Sequence, residues 1–482
     1  MSRLAMVLSL LLLGAACADV STGSSSAPTA TSTSVVASST SEPPIESRGS
    51  STTTLRAGWP DWATSSVVEV DPVTLVDVGP AVPAGAWSEG SAVTDDLIAI
   101  ATWPADGISW WRLVVASRDT GEVLFDERVG TMNILGMFTL PSGEVMVVEP
   151  IRSADWNFSD GFVVDAFNVD TNDLEEVARF DDGDFVPLRL TVLSDGRLGV
   201  VGWDRHGDTF QHRIIVFDWA RNEVVVDVVL EGLPVEAEAP DGVYVDPMYH
   251  PVIWDEERSR ILAVHAHEDV ITTVGIPSGE IEEILLVPER SLLSAFFAWL
   301  VPAADAKGMP SFQRQAVISG DHLYVAGATV TFDETADGTY AYRHAPGDLL
   351  KIDLATMRIV ESAQPGVSVI ASSTSGGYLI GGGQTTTGQV GEELSTTESV
   401  EYAGLLVIDP DTLEVVDHHN EVNITWEGEL QPSNTENIIY VDDHAGDILT
   451  FDPISGDLLS TGVRGFEYSL MRNSLRYTSP GS

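Results

Sequence analysis

The stretch "VIDPDTLEVV", Val407 to Val416, decides how the rest of the chain is read. Two short runs rich in Val and Ile flank "DPDT", which reads as strand, tight turn, strand. Asp409 opens the turn by accepting hydrogen bonds from amides just downstream, the local bonding that makes Asp and Asn turn formers. The same hairpin recurs along the chain, its turn beginning at Asp71, Ser117, Asn168, Asp218, Gly275, Asp353, Asp409 and Asp452. The residue before each turn is apolar: Val70, Ala116, Phe167, Phe217, Val274, Ile352, Ile408 and Phe451. Thr or Ser stands three residues after the opening in seven copies, Arg221 being the exception. One residue further on, five copies carry Gly121, Asn172, Asn222, Gly279 or Gly456, the residue types that accept the positive φ closing such a turn. Leu75, Met357 and Leu413 occupy that place in the other three, so those turns are expected to close differently.

Between consecutive copies lies a second hairpin, as in "LPSGEVMVV" from Leu140, "LSDGRLGVV" from Leu193, "ISGDHLYVAG" from Ile318 and "SGGYLIGGG" from Ser375. Two hairpins per repeat make an all-β unit of four antiparallel strands, renewed every 43 to 78 residues. One such unit leaves both apolar faces bare, and stacking against neighbours covers them. Over about residues 60–480 the pattern resembles the β-propeller superfamily, in its quinoprotein-like and YVTN-like repeats. The resemblance implies a ring of four-stranded blades. An inner hairpin at Glu467 to Tyr477 follows the last copy, and the outer hairpin at Val67 to Val78 lacks an inner partner. Pairing the two closes a ring of eight blades and removes two free sheet edges. The count is seven if one terminal hairpin lies outside the ring.

The chain has 482 residues, 44% of them hydrophobic, which is ample for a large core. Acids outnumber bases 73 to 24, for a formal charge of −49, and only Lys307 and Lys351 are lysines. A surface so acidic excludes nucleic acid as a partner, because phosphate binding depends on Lys and Arg. The single cysteine, Cys17, excludes an intrachain disulfide. It ends "LGAAC", after Arg3 and the apolar run Leu4 to Leu13, and this resembles the bacterial lipoprotein signal. The resemblance implies cleavage before Cys17, acylation of that residue and an extracytoplasmic, membrane-anchored address. Residues 1–16 are then the signal peptide and 17–54 a tether, since 20 of residues 18–54 are Ser or Thr. Such a coil spans roughly 30–35 Å. Residues 55–482 form the propeller domain, with an apolar insertion at 289–312.

In propellers generally, the loops joining the second strand of a blade to the third emerge on one face, beside the axial pore. Here that face collects Trp103, Trp110, Trp111, Trp156 and Trp203 together with Asp155, Asp204 and His206. Indoles beside polar groups hold flat or sugar-like ligands, the ring serving as platform. His265, His267, Asp269, Asp442 and His444 fall near strand ends on the same side, where imidazole and carboxylate could hold a divalent metal. No run among them has diagnostic ligand spacing, so no cofactor is favoured.

Enzyme signatures are sparse. "VASRDTGEVLF" (Val115 to Phe125) echoes the quinoprotein blade motif, but Phe125 and Ser117 stand where that motif has Trp and Asp. The chain is therefore expected to be a lipid-anchored extracytoplasmic binding or scaffolding protein. Its partner would be an envelope polymer, a glycan or another protein. The alternative is a propeller enzyme, either a metal-dependent lactonase-like hydrolase or a degenerate quinoprotein dehydrogenase. Acylation at Cys17 is checked by fractionation: Cys17→Ala should move the protein from the membrane to the soluble extracytoplasmic fraction.

Overall fold

A computed structural model of the chain describes residues 54–61, 64–71, 78–85, 87–103, 111–128, 134–140, 142–152, 159–205, 210–234, 250–266, 269–286, 311–335, 338–372, 377–390, 395–424, 430–432, 438–442, 448–460, 468–470 and 474–476. All belong to one unit, Thr52–Ser482. The signal peptide, Cys17 and nearly all of the tether and the 289–312 insertion lie outside them. Among the described residues there is no α-helix, and hence no helix that could cross a membrane.

The fold is a β-propeller of four-stranded antiparallel blades. Among the described residues, five sheets stand alone with four strands. Three run from Trp87–Val93 to Val123–Arg128, from Phe185–Val192 to Glu223–Pro234, and from Val252–Asp255 to Ile281–Leu285. A fourth runs from Leu430–Pro432 to Asp457–Ser460. The fifth joins Thr54–Asp61, Thr64–Val70 and Val82–Gly85 to the C-terminal Tyr468–Leu470. A sixth sheet, from Gly136–Thr139 to Asp173–Asp181, gains the last strand, Ser474–Arg476, in parallel with Gly136–Thr139. The expected C-terminal hairpin is therefore split: one strand joins the N-terminal blade and the other a different blade.

The eight separate blades expected from the repeat are not seen as such, because the remaining strands merge into one nine-stranded sheet. The cause is strand length. His322–Glu334 pairs with Leu349–Asp353 through its first half only, and its second half pairs with Tyr340–Pro346. Leu379–Val390 and Ser395–Ile408 likewise run on together past the blade. The two overlong hairpins then pair with each other, from Tyr340↔Val390 to His344↔Thr386. Their outer halves form a four-stranded extension, called the wing below.

Each apolar cluster in the core joins two units that follow one another in sequence. Ala99, Trp111, Leu113 and Val115 meet Met137, Val145, Val147 and Phe167. Ile214, Val216 and Val228 meet Ile261, Ala263 and Val274. The third strands are buried throughout, as in Gln211–Asp218 and Val270–Gly275, whereas outer strands such as Ile281–Leu285 are largely exposed. Burying a Val, Leu, Ile or Phe side chain contributes about 1.5–3 kcal/mol, so these seams dominate stability.

The recurring turn is built as its sequence suggests. Asp409 Oδ1 accepts from the amides of Asp411 at 2.7 Å and Thr412 at 3.1 Å. The Leu413 amide donates to the Asp409 carbonyl at 2.8 Å, as Gly121, Gly279, Met357 and Gly456 do in their own copies. Met357 and Leu413 nevertheless adopt φ of 53° and 55°, the conformation of Asn172 at 51°. Their turns thus close in the same way as the rest, contrary to expectation. Both side chains are buried, at 4% and 2% exposure, and that burial outweighs a left-handed backbone cost of about 1–2 kcal/mol. Leu413→Gly should therefore lower unfolding stability by about 1–3 kcal/mol in urea, despite relieving the backbone. Asn172→Gly, on an exposed turn, should stay within about 0.5 kcal/mol of the parent.

Candidate functional site

Strand register defines one end of every blade. Phe185 pairs with Asp204, Asp204 with Gln211, and Gln211 with Pro234. The start of the first strand, the end of the second, the start of the third and the end of the fourth therefore lie together. Five of the residues singled out from sequence are described at this end: Trp111, Trp203, Asp204, His265 and Asp269. Trp103 and Asp442 end second strands, and only their backbones are described. Trp110, Asp155, Trp156, His206, His267 and His444 lie outside the described residues.

The described five do not form one open face. Trp111 is 1% exposed and packs in the seam between two blades, so it offers no platform to a ligand. Trp203 is partly buried, 5.7 Å from the Phe210 ring centroid. Asp204 is buried and committed to Arg213, which also binds Asp182 at 2.8 Å and Asp227 at 2.7 Å. The guanidinium lies 5.4 Å from the Phe185 ring centroid, and its carboxylates, Asp227 first, hold it firmly charged. This network pins strands within a blade. Asp269 is exposed and pairs with Arg314 at 2.9 Å, bridging two blades.

His265 belongs to a group that sequence reading did not assemble. His212, His250 and His265 are each buried, with ring centroids 4.6 Å apart for the first two and 6.2 Å for the last two. The Ala266 amide donates to His250 Nδ1 at 2.9 Å, which places that ring's proton on Nε2. His265 Nε2 lies 2.8 Å from Thr272 Oγ1. Burial first, and His250 second, push His212 down to about 3, so the ring is neutral at physiological pH. Among the described residues no group of three His, Cys, Asp or Glu is placed to hold a metal.

A pair of carboxyls sits behind Trp111. Glu149 and Asp165 lie on neighbouring strands, where Val163 faces Glu149 and Asp165 faces Val147. The two carboxyls act on each other's protonation. Burial, then the charge of Asp165, push Glu149 up to about 8, and burial raises Asp165 as well. The Trp111 indole N–H, short of proper hydrogen-bond geometry, and Arg179 both favour the ionised Glu149, while Glu176 acts against ionising Asp165.

An open polar site lies away from the residues singled out in the sequence. A cleft of about 440 Å³ lies where the wing leaves the ring, lined in part by Thr329, Arg343, Gln364, Gln384, Glu401 and Tyr402. Its floor includes the connection through Gly366 that leads to Val369–Ala371. Gly383 permits this approach, since a Cβ there would meet the Gly366 carbonyl at 2.9 Å and the Ser368 amide nitrogen at 3.0 Å. Gln384, next along, is 7% exposed, and its side-chain amide makes no hydrogen bond among the described residues. Two donors and an acceptor are thus held in the wall of a cleft without partners there.

No family model matches the chain, and no curated protein matches it in sequence. Similar solved structures include the periplasmic gluconolactonase of Pseudomonas aeruginosa, 13% identical over 89% of this chain and 98% of that one, with a TM-score of 0.40. Others are the quinohemoprotein alcohol dehydrogenase of Comamonas testosteroni (11%, 80% and 67%, TM-score 0.43) and the WD40 domain of Toxoplasma gondii coronin (9%, 75% and 79%, TM-score 0.37). At these values none speaks to a site in this chain.

The carboxyl pair makes stability depend on pH. Glu149 titrates near 4.5 when exposed and near 8 in the fold, so the folded state binds the extra proton between those values. Stability should be full below about pH 4.5, fall as pH rises, and level off above about 8. Glu149→Gln cannot ionise and should flatten that part of the profile of melting temperature against pH.

Proposed function

We propose that this protein is a lipid-anchored, extracytoplasmic, eight-bladed propeller that binds a polar envelope polymer in the cleft below the wing. Seven apolar clusters support the blade count, because each joins two successive four-stranded units. The nine-stranded sheet resolves at the wing into a unit around Leu349–Asp353 and another around Leu379–Val390. Thr54–Asp61 pairs with Tyr468–Leu470, which supports closure through the two termini. The anchor reading rests on "LGAAC" and the Ser/Thr tether.

The unpartnered amide of Gln384 carries the binding role. Its side-chain amide reaches the water of the cleft, and a ligand that displaces that water can exchange hydrogen bonds with it in both directions. A lining of amides, hydroxyls, a guanidinium and a carboxylate suits a polyhydroxylated ligand better than an apolar one. Asp204 and His265, buried at this end, are bonded to protein partners, which supports a binding rather than a catalytic protein.

Gln384→Leu separates a binding role from a structural one. It should weaken retention of the full chain on immobilised envelope polysaccharide by about 1–3 kcal/mol while leaving the melting temperature unchanged or higher. A lower melting temperature with unchanged retention would make the residue structural and remove the basis for the cleft.

A further inference from the structure

The same cleft holds two charges that do not meet, and any ligand they select depends on the cleft being the binding site. Arg343 is exposed in Tyr340–Pro346 and forms no ion pair among the described residues. Several other arginines of this chain are satisfied internally: Arg112 by Asp126, Arg118 by Glu69, Arg197 by Asp195 and Arg213 by three aspartates. With acids outnumbering bases 73 to 24, a carboxylate partner is easily supplied, yet Arg343 has none among the described residues. Its neighbours across the wing are Thr331 on one strand and Thr387 on the other, and neither can neutralise it. Glu401, opposite Thr385, lines the same cleft and is equally unpaired among them.

A guanidinium presents a planar fork that matches a carboxylate through two parallel hydrogen bonds. A carboxylate such as Glu401 accepts from hydroxyls, and the Gln384 amide can donate and accept at once. We infer that the cleft takes a carboxylate-bearing saccharide, a short uronic acid oligomer. Its carboxylate would face Arg343, and its ring hydroxyls would face Glu401, Gln384 and Thr329. A free amino acid could also span the two charges, but a cleft of about 440 Å³ is in the range of sites for much larger molecules and holds about two linked sugar rings. The chain's net charge of −49 opposes an anion at a distance, but physiological salt screens over about 8 Å, so the local guanidinium decides.

Calorimetric titration of the full chain in detergent with trigalacturonic acid, its methyl ester, maltotriose and free glutamate tests this. Trigalacturonic acid should bind most tightly. Arg343→Gln should weaken it at least tenfold while moving the ester and maltotriose less than twofold. Arg343→Lys, which keeps the charge and loses the fork, should fall between. Arg358→Gln, at an arginine outside the cleft lining with no ion pair among the described residues, should change nothing. Equal binding of acid, ester and maltotriose, untouched by Arg343→Gln, would overturn the acidic class while leaving the cleft a saccharide site. Tighter binding of glutamate, or no binding of any of the three saccharides by the parent, would overturn the saccharide class, and retention by Gln384→Leu then judges the cleft independently.

Discussion

Each blade of this protein has two apolar faces, and neither can be left in water. Gln211–Asp218 is buried over six consecutive residues, so both sides of that strand need cover. A blade covers one face on the unit before it and the other on the unit after it, as Phe162, Phe180 and Phe217 show by packing together across two sheets. The first and last units would each keep one bare face unless they met. The strand Tyr468–Leu470 meets that need by pairing with Thr54–Asp61 at the other end of the chain.

Rigid seams leave the strand ends to carry function. At one end the buried polar groups are mostly fastened to each other: Arg213 to its aspartates, and His212, His250 and His265 in one buried group. These networks fix blades in place. The wing departs from that pattern. It adds sheet beyond the ring, and the junction leaves Gln384, Arg343 and Glu401 at a cleft without partners among the described residues. A guanidinium, a carboxylate and an amide that face one cleft without bonding one another suit a second polar molecule there.

Much of the fold is legible because the turn chemistry repeats. Asp409, Asp353 and Asp452 bond their own downstream amides as the motif requires. Leu413 and Met357 mislead, because the cost of a left-handed backbone is local whereas the burial that offsets it comes from tertiary packing. The wing escapes notice for a different reason. "ATVTFDETADGTYAYRH" alternates as a strand pair with its own turn, but it lies between the recurring hairpins and matches neither of them. Composition draws attention to Trp and His, which are easily counted, and Trp111 proves to be seam packing. A glutamine after "GGG" carries no comparable signal, since only its place in the cleft wall sets Gln384 apart.

Closure through the termini can be measured directly. Ala57 and Ser469 are register partners, and facing residues of antiparallel strands lie about 4.5–5.5 Å apart at Cα, within reach of a disulfide. In a chain carrying Cys17→Ala, cysteines introduced as Ala57→Cys and Ser469→Cys should cross-link under mild oxidation and raise the unfolding midpoint. Two thiols that stay free in the folded, oxidised protein would show that the termini do not pair and that the ring is not closed in this way.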